Sequence, residues 1–213
     1  MIQPPESGDS ISGPSFYHPA FEAAHRFIIR QYIPPARDIC IFLPCSMKKP
    51  YSESPSHIMF RGIIGAILPD DRSHIVVFGT CGVVPGELER MYPYSHYRFM
   101  LGRCRSERVR RDFLTIETGR LEAYLEKTAA TYQQRVAYCL GAFREAMQMA
   151  SERTGIEVVL CPSDATLEAN DHPGLRFGHG SLNMDAYCEE FRAVLLRMGE
   201  NDTVGRPVIS RIP

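Results

Sequence analysis

Two short apolar runs with a helix signal between them constrain the fold of this chain more than any other feature. DICIFL (residues 38–43) and SHIVVFG (residues 73–79) are rich in β-forming residues and short enough to be buried strands. Between them, Ser54 followed by Pro55 is typical of a helix start, because serine caps the first turn and proline fits its first position. A strand, a helix and a strand in this order predict a right-handed parallel crossover.

Apolar periodicity and helix-stop signals place further helices. Residues 20–32 have the spacing of an amphipathic helix that ends before Pro34. Residues 118–153 admit two interpretations, one very long helix or two helices with a buried strand between them. We favour the second, because an unbroken helix of more than about 25 residues is unusual. It places a helix at 118–131, a strand at 135–140 and a helix at 142–153.

The C-terminal part completes the predicted architecture. GIEVVLCPSD predicts a strand over residues 156–161, and LNMDAYCEEFRAVLLRM predicts a closing amphipathic helix over residues 182–198. Four strands of this kind favour a three-layer α/β/α fold with a small, mainly parallel sheet. We expect residues 1–18, rich in Pro, Ser and Gly, to form a flexible tail, and residues 19–213 to form one domain.

Composition narrows the class of protein. Of 213 residues, 44% are apolar and 23% are charged, as in ordinary globular proteins, and no apolar run approaches the roughly 18 residues of a membrane span. The N-terminus lacks a basic start followed by an apolar core, so we expect a cytoplasmic protein without a secretion signal. Seven cysteines at irregular spacings, with no CxxC pair, predict neither a disulfide framework nor a metal site, and no cofactor is expected.

Net charge gives no general attraction to nucleic acids, but it is unevenly distributed. The chain carries a formal charge of −1, whereas RCRSERVRR at residues 103–111 concentrates five arginines. Such a run is more often a solvated face than a phosphate contact, and the sequence leaves both interpretations open.

The most reactive segment is PCSMKKPYSESPSH, residues 44–57, which directly follows the first predicted strand. In open parallel sheets, ligands bind beyond the carboxyl ends of the strands. Each residue alone has a structural explanation: Cys45 can be a small buried hydrophobe, Lys49 can be solvated, and His57 can cap or pack. Together on one strand-to-helix connection they indicate a site, in which Cys45 is a plausible nucleophile activated by neighbouring cations and a helix N-terminus.

A second long segment is expected to form another wall of this site. TCGVVPGELERMYPYSHYRF, residues 80–99, contains several glycines and prolines and is predicted to be irregular. Long irregular loops inside compact domains tend to be functional.

These two segments carry a resemblance to a known family. Residues 44–57 resemble the signature of the archaeosine synthase core domain at every fixed position of that signature, and VPGELERMYPYSHY (residues 84–97) is similar to that family's second motif. The resemblance spans roughly residues 38–165. It implies a uracil-DNA glycosylase-like α/β fold and an extruded base that enters a pocket.

The resemblance implies a tRNA-modification enzyme of archaeosine biosynthesis. Archaeosine synthase adds an amine, understood to be that of free lysine, to the nitrile of 7-cyano-7-deazaguanine in tRNA, and a radical enzyme then completes the modification. By resemblance, Cys45 would be the nucleophile, His57 the proton shuttle, and Lys49 a further catalytic group that binds the nitrile. The substrate-binding residues implied are Pro44, Ser46, Tyr51, Ser54, Glu87, Glu89, Tyr92 and Tyr97.

The sequence also departs from the family pattern. Arg98 stands where that pattern has an aspartate, which bears on recognition of the amine substrate. Neither the transglycosylase-like nor the RNA-binding module of the full-length synthases is recognised here, so we expect a separate subunit to deliver the tRNA, or a free base to be the substrate.

Two other functions stay open at this point. One is a glycosylase-like hydrolase or base exchanger, favoured if an acid such as Asp164 or Glu87 points at a sugar while Cys45 stays buried. The other is a non-catalytic base- or RNA-binding subunit. Residues 171–174 and 176–188 are interpreted as turns, the second with a flexible lid as the alternative.

Overall fold

The computed structural model describes residues 10–171 and 180–200 and is built on one mixed sheet. Its strands are β1 (Ile39–Pro44), β2 (Ser73–Gly79), β3 (Gly82–Pro85), β4 (Gln134–Tyr138) and β5 (Val159–Cys161). They lie in the order β3-β2-β1-β4-β5. All neighbouring pairs are parallel except β2 and β3, so the antiparallel strand lies at one edge.

Helices cover both faces of this sheet. They are α1 (Pro19–Arg30), α2 (Pro55–Gly65), α3 (Glu107–Lys127), α4 (Gly141–Thr154), α5 (Asp164–Ala169) and α6 (Asp185–Glu200). One apolar cluster joins α1, α3 and α4 to the sheet, and a second joins α2, α5 and α6 to the opposite face. The predicted three-layer α/β/α fold is therefore confirmed.

The central strand explains why its sequence is apolar without alternation. Ile41 of β1 belongs to the core on the α2 and α6 face, whereas Phe42 belongs to the core on the α1 and α3 face. Both side chains are almost completely buried, because helices cover both faces of a parallel sheet.

The topology creates a crevice at one end of β1. The chain passes from β1 through α2 to β2 on one side, while β4 pairs with the other side of β1. Strand order therefore reverses at β1, and the connections that follow β1 and β4 leave the sheet in different directions. In open α/β sheets this reversal point, at the carboxyl edge, is where ligands bind.

Two predictions of local structure were wrong. Residues 80–99 were predicted to be irregular, but Gly82–Pro85 forms β3, because Gly82 adopts φ +78° and lets the chain turn back along β2. The helix predicted from residue 118 begins at Glu107, where Ser106 accepts a hydrogen bond from the Val109 amide and caps it.

Other boundaries follow the sequence more closely. The interpretation of residues 118–153 as helix, strand and helix is confirmed. The last strand is shorter than predicted and is limited to Val159–Cys161. In the predicted tail, Ile11 pairs with Tyr97 and Phe16 is buried, so residues 10–18 pack on the domain. Residues 1–9, 172–179 and 201–213 lie outside the described part, so the turn predicted at 171–174 is not described beyond residue 171. The turn predicted at 176–188 is described only from residue 180, and it runs into α6 from Asp185 onward.

None of the helices in the described ranges combines the length and the apolar composition that crossing a lipid bilayer requires.

Replacing Ile41 tests the buried central strand. We expect Ile41→Val to lower the free energy of unfolding by about 0.5–1.5 kcal/mol and Ile41→Ala by about 2–5 kcal/mol, because the side chain is 0% exposed. Ile33→Ala is the matched control, since that side chain is 85% exposed and its loss should change stability by less than about 0.5 kcal/mol. Urea denaturation measures all three, and equal effects at both positions would contradict the assigned burial.

Candidate active site

Cys45 lies at the carboxyl edge of the sheet, one residue beyond β1. Its backbone amide donates a hydrogen bond of 3.1 Å to the Phe78 carbonyl, which extends the pairing of β1 with β2. The residue as a whole is partly buried. The end of the sheet therefore fixes the position of the Cys45 sulfur.

The surroundings of Cys45 favour its thiolate. A hydrogen bond with the Cys81 thiol is the largest contribution, and the Thr80 backbone amide, the Tyr97 hydroxyl and the charge of Lys49 add to it. Burial opposes them, but together they lower the pKa of Cys45 to about 6. At neutral pH this thiol is mostly ionised, which is the state that attacks electrophilic carbon.

Gly79 makes room for this sulfur. A Cβ atom added at Gly79 would lie 2.8 Å from the Cβ of Cys45 and closer still to its sulfur. Gly79 is the last residue of β2, and β2 is the parallel neighbour of β1. The absence of a side chain at the end of one strand thus allows the Cys45 thiol to lie beside it.

Lys49 lies over the ring of Tyr97 at the same site. Its Nζ atom is 3.7 Å from the ring centroid and donates a 3.4 Å hydrogen bond to the Met47 carbonyl. Burial lowers the pKa of Lys49, although the nearby Cys45 sulfur opposes this shift. Beneath the lysine, the Tyr97 and Tyr51 hydroxyls are 3.0 Å apart and both tyrosines are buried. Cys45, Lys49, Tyr51 and Tyr97 are therefore brought together as neighbours.

His57 and Ser54 are held within the structure rather than directed at solvent. The His57 Nε2–H donates a 2.8 Å hydrogen bond to the Pro44 carbonyl, and the ring is completely buried. Burial lowers the pKa of His57, so the neutral ring is favoured. The Ser54 hydroxyl caps α2 by accepting a 3.3 Å hydrogen bond from the His57 amide. Both residues fix the backbone that presents Cys45.

The two glutamates of the second motif occupy different places. Glu89 is buried and accepts a 2.9 Å hydrogen bond from the Ser52 amide, which ties the second motif to the first. Glu87 instead accepts hydrogen bonds from Tyr32 and from His74, near the amino end of β2. Burial would raise the pKa of Glu87, but these hydrogen bonds lower it to about 2. Glu87 therefore lies at the edge of the sheet opposite to Cys45.

The remaining predicted residues border the site less directly. The Ser46 hydroxyl donates a 2.8 Å hydrogen bond to the Lys48 carbonyl within the loop. Tyr92 is partly buried and contacts His96, with 5.5 Å between ring centroids. Arg98 is exposed, and its amide donates a hydrogen bond to the Ile11 carbonyl.

A cavity of about 530 Å³ opens at the strand-order reversal, and its lining includes none of Cys45, Lys49, Tyr51 and Tyr97. Pro44, which precedes Cys45, forms part of its wall, and Leu140 brings the end of β4 to it. Phe60 of α2 and Phe143 of α4 supply aromatic surface. The volume is within the range of pockets for small organic ligands. The lining combines these aromatic rings with polar side chains such as Ser56 and Asn183, and such a mixture suits a heterocycle.

Sequence reasoning missed the residues that surround the Cys45 sulfur from β2. Gly79 ends the second predicted strand, and Thr80 and Cys81 begin the segment that is predicted to be irregular. No motif in the sequence marks them as neighbours of Cys45. The usable signal was the crossover itself, because the ends of adjacent parallel strands must meet at one edge. Within the described residues, no group of three or more His, Cys, Asp or Glu side chains is arranged to hold a metal ion.

Comparison with known proteins identifies relatives of the part of the chain that holds this cluster. A family model described as a domain of unknown function (DUF5591) matches residues 23–172. The chain is 35% identical over 134 residues to "Archaeosine synthase subunit alpha" of Methanosarcina acetivorans, covering 63% of this chain and 20% of that protein. It is 32% identical over 126 residues to "Archaeosine synthase" of Haloferax volcanii, covering 58% of this chain and 20% of that protein.

The match in length is partial. The chain spans about a fifth of the length of these two curated relatives. Among solved structures, it is similar to the crystal structure of AF0587, a protein of unknown function, with a TM-score of 0.52 and 19% identity over 82% of this chain and 48% of that chain. That likeness supports the fold.

The pH dependence of Cys45 alkylation tests the lowered pKa. We expect the rate with iodoacetamide to rise with pH around a midpoint of about 6, because the thiolate reacts and the thiol does not. Cys81→Ala should raise the midpoint by about 1–2 pH units, since a hydrogen bond to a charged group is worth about 1.5–3 kcal/mol. Cys81→Ser, which keeps a donor, is the control. Mass spectrometry of the Cys45 peptide gives the rate, and a wild-type midpoint near 8.5 would refute the assignment.

Gly79→Ala tests the space beside the sulfur. The added methyl should displace the Cys45 side chain from Cys81 and move the alkylation midpoint toward that of an ordinary thiol, about 8.5. Gly119→Ala is the control, because a Cβ there meets nothing within 4 Å. An unchanged midpoint in Gly79→Ala, with the fold intact by circular dichroism, would show that the close approach does not matter.

Proposed function

The chain belongs to the DUF5591 family, and we propose that it carries out the amidine-forming step of archaeosine synthesis in tRNA. The observation that carries this proposal is Cys45, a thiol with a pKa lowered to about 6 that lies at the carboxyl edge of the sheet. Two proteins named as archaeosine synthases share this part of the sequence. The substrate is 7-cyano-7-deazaguanine, either within tRNA or as the free base, and free lysine is the amine donor.

The first step is addition of the Cys45 thiolate to the nitrile carbon. A carbon–sulfur bond forms, one π bond of the nitrile breaks, and the nitrogen gains a proton, which gives a thioimidate. Lys49 is the proposed proton source, because burial lowers its pKa and it lies beside the sulfur. The apolar cavity that begins at Pro44 would hold the heterocycle.

The second step releases the enzyme. The amine of the donor adds to the thioimidate carbon, the carbon–sulfur bond breaks, and the product is an amidine. The sulfur departs readily because its surroundings stabilise the thiolate. Cys45 is thereby regenerated, with one proton passed from the amine to solvent or to Lys49.

The structure favours a positioning role for His57 in this proposal. Its Nε2–H is engaged with the Pro44 carbonyl, so the ring fixes the peptide group directly before the nucleophile. Ser54 supports the same turn as the cap of α2. The proton-shuttle role predicted for His57 stays a prediction.

The glycosylase alternative has less support from the geometry. Glu87 lies at the opposite edge of the sheet, where it is bonded to His74. Asp164 is 83% exposed and pairs with Arg144 at 2.7 Å. Neither acid faces the Cys45 cluster. A measurement of turnover distinguishes the proposed enzyme from a non-catalytic binding subunit.

Turnover with labelled lysine tests the proposal. The 213-residue chain, incubated with tRNA that carries 7-cyano-7-deazaguanine, should transfer labelled lysine to the nucleoside, detected by mass spectrometry. Cys45→Ala should lose on the order of a thousandfold or more in rate, because the nucleophile is removed. Lys49→Met should lose on the order of a hundredfold.

The control is Cys188→Ala, which removes another partly buried cysteine. It should retain turnover, because Cys188 lies on α6 and does not line the cavity. Full turnover in Cys45→Ala would remove the covalent mechanism, and lack of turnover in the wild type under all donor conditions would favour the binding subunit.

A further inference from the structure

An arginine-rich rim borders the cavity. Residues 103–111 contain five arginines and one acidic residue, on a chain whose net charge is −1. Arg103, Arg105 and Arg108 are exposed. Among the described residues, no carboxylate pairs within 4 Å of Arg103 or Arg105, whereas Arg108 lies 3.8 Å from Asp112. The rim is therefore a local positive surface on a nearly neutral protein.

The rim lies between the cavity and the loop that carries the nucleophile. Gly102 and Cys104, which flank Arg103, line the cavity, as does Arg110 on the first turns of α3. The Arg103 Nη2 atom is 3.7 Å from the sulfur of Met47, two residues after Cys45 in the chain. A molecule that places one group in the cavity can therefore place a neighbouring group against these arginines.

The arginines of α3 differ from those that precede it. Arg108 and Arg110 occupy the first turns of α3, where the positive end of the helix dipole favours acidic residues such as Glu107. Asp112 lies 3.8 Å from Arg108 and Glu145 lies 3.3 Å from Arg110, so these two arginines already have carboxylate partners. Arg103 and Arg105 precede the helix and have no such partner among the described residues, which leaves their charges available to an anion.

We propose that Arg103 and Arg105, with Arg108 beside them, bind the backbone phosphates that flank the target nucleotide of an RNA. This inference rests on the proposed function, because the base of that nucleotide occupies the adjacent cavity. Arginine suits the role through its planar fork of donors, which matches phosphate oxygens. The arginines supply affinity and register, while the cavity selects the base. The rim thus gives the chain an RNA contact of its own.

Binding of a fluorescently labelled tRNA transcript to the 213-residue chain, followed by anisotropy over a series of salt concentrations, tests the rim. Arg103→Gln with Arg105→Gln should weaken binding on the order of tenfold at low salt and reduce the slope of log affinity against log salt by about 2. Arg26→Gln with Arg30→Gln is the matched control, since both arginines are exposed on α1 and the same net charge is lost. The control should change affinity by no more than about twofold.

The outcomes separate this inference from the proposed function. Equal losses in the two double variants would overturn the rim as a specific surface and indicate a general charge effect. Competition by poly-glutamate as effective as that by unlabelled tRNA would also overturn it, in favour of an acidic protein partner. A wild-type chain that binds tRNA through Arg103 and Arg105 but transfers no lysine would support the inference and contradict the proposed function. Circular dichroism of both variants shows whether the fold is kept.

Discussion

The contact between the end of β1 and the end of β2 is the constraint on which the rest of the site depends. Parallel pairing brings Cys45 against Gly79, and the residues that follow β2 supply hydrogen bonds to the sulfur from the Cys81 thiol and the Thr80 backbone. A side chain at Gly79 would occupy this space, and a longer connection before Cys81 would remove the thiol donor. The acidity of the Cys45 thiol is thus a consequence of strand register, and the lysine and tyrosines around it add to an arrangement that the sheet already fixes.

The fold was largely predictable because its signals are local. DICIFL and SHIVVFG form strands that helices cover on both faces of the sheet. Burial on both faces requires a nearly continuous run of apolar residues, which the sequence shows. The break between α3 and β4 followed from helix length alone. The start of α3 was missed, because its first turns carry three arginines, at 108, 110 and 111, beside the single acid Glu107 that signals a helix start. The short edge strand β3 was hidden by the glycine that allows its turn.

The site was predictable in its residue types and less so in its geometry. The spacing of Cys45, Lys49 and Tyr51 marks one loop, and Tyr97 joins them as the resemblance implied. Glu87 is close to Tyr97 in sequence, but the antiparallel direction of β3 places Glu87 at the other edge of the sheet. Nothing local in the sequence specifies that direction. The hydrogen bond between Cys81 and Cys45 likewise depends on the pairing of β1 with β2. Residue types and their spacing do not predict that contact.

The account as a whole requires a covalent bond between Cys45 and a nitrile carbon. The most direct measurement is the intact mass of the chain after incubation with free 7-cyano-7-deazaguanine and no amine, followed by peptide mapping. The account predicts a mass gain equal to the whole nitrile compound, located on Cys45, absent in Cys45→Ser and reversed by adding an amine. An unmodified Cys45 under conditions in which the protein binds the compound, or a gain on another residue, would contradict it.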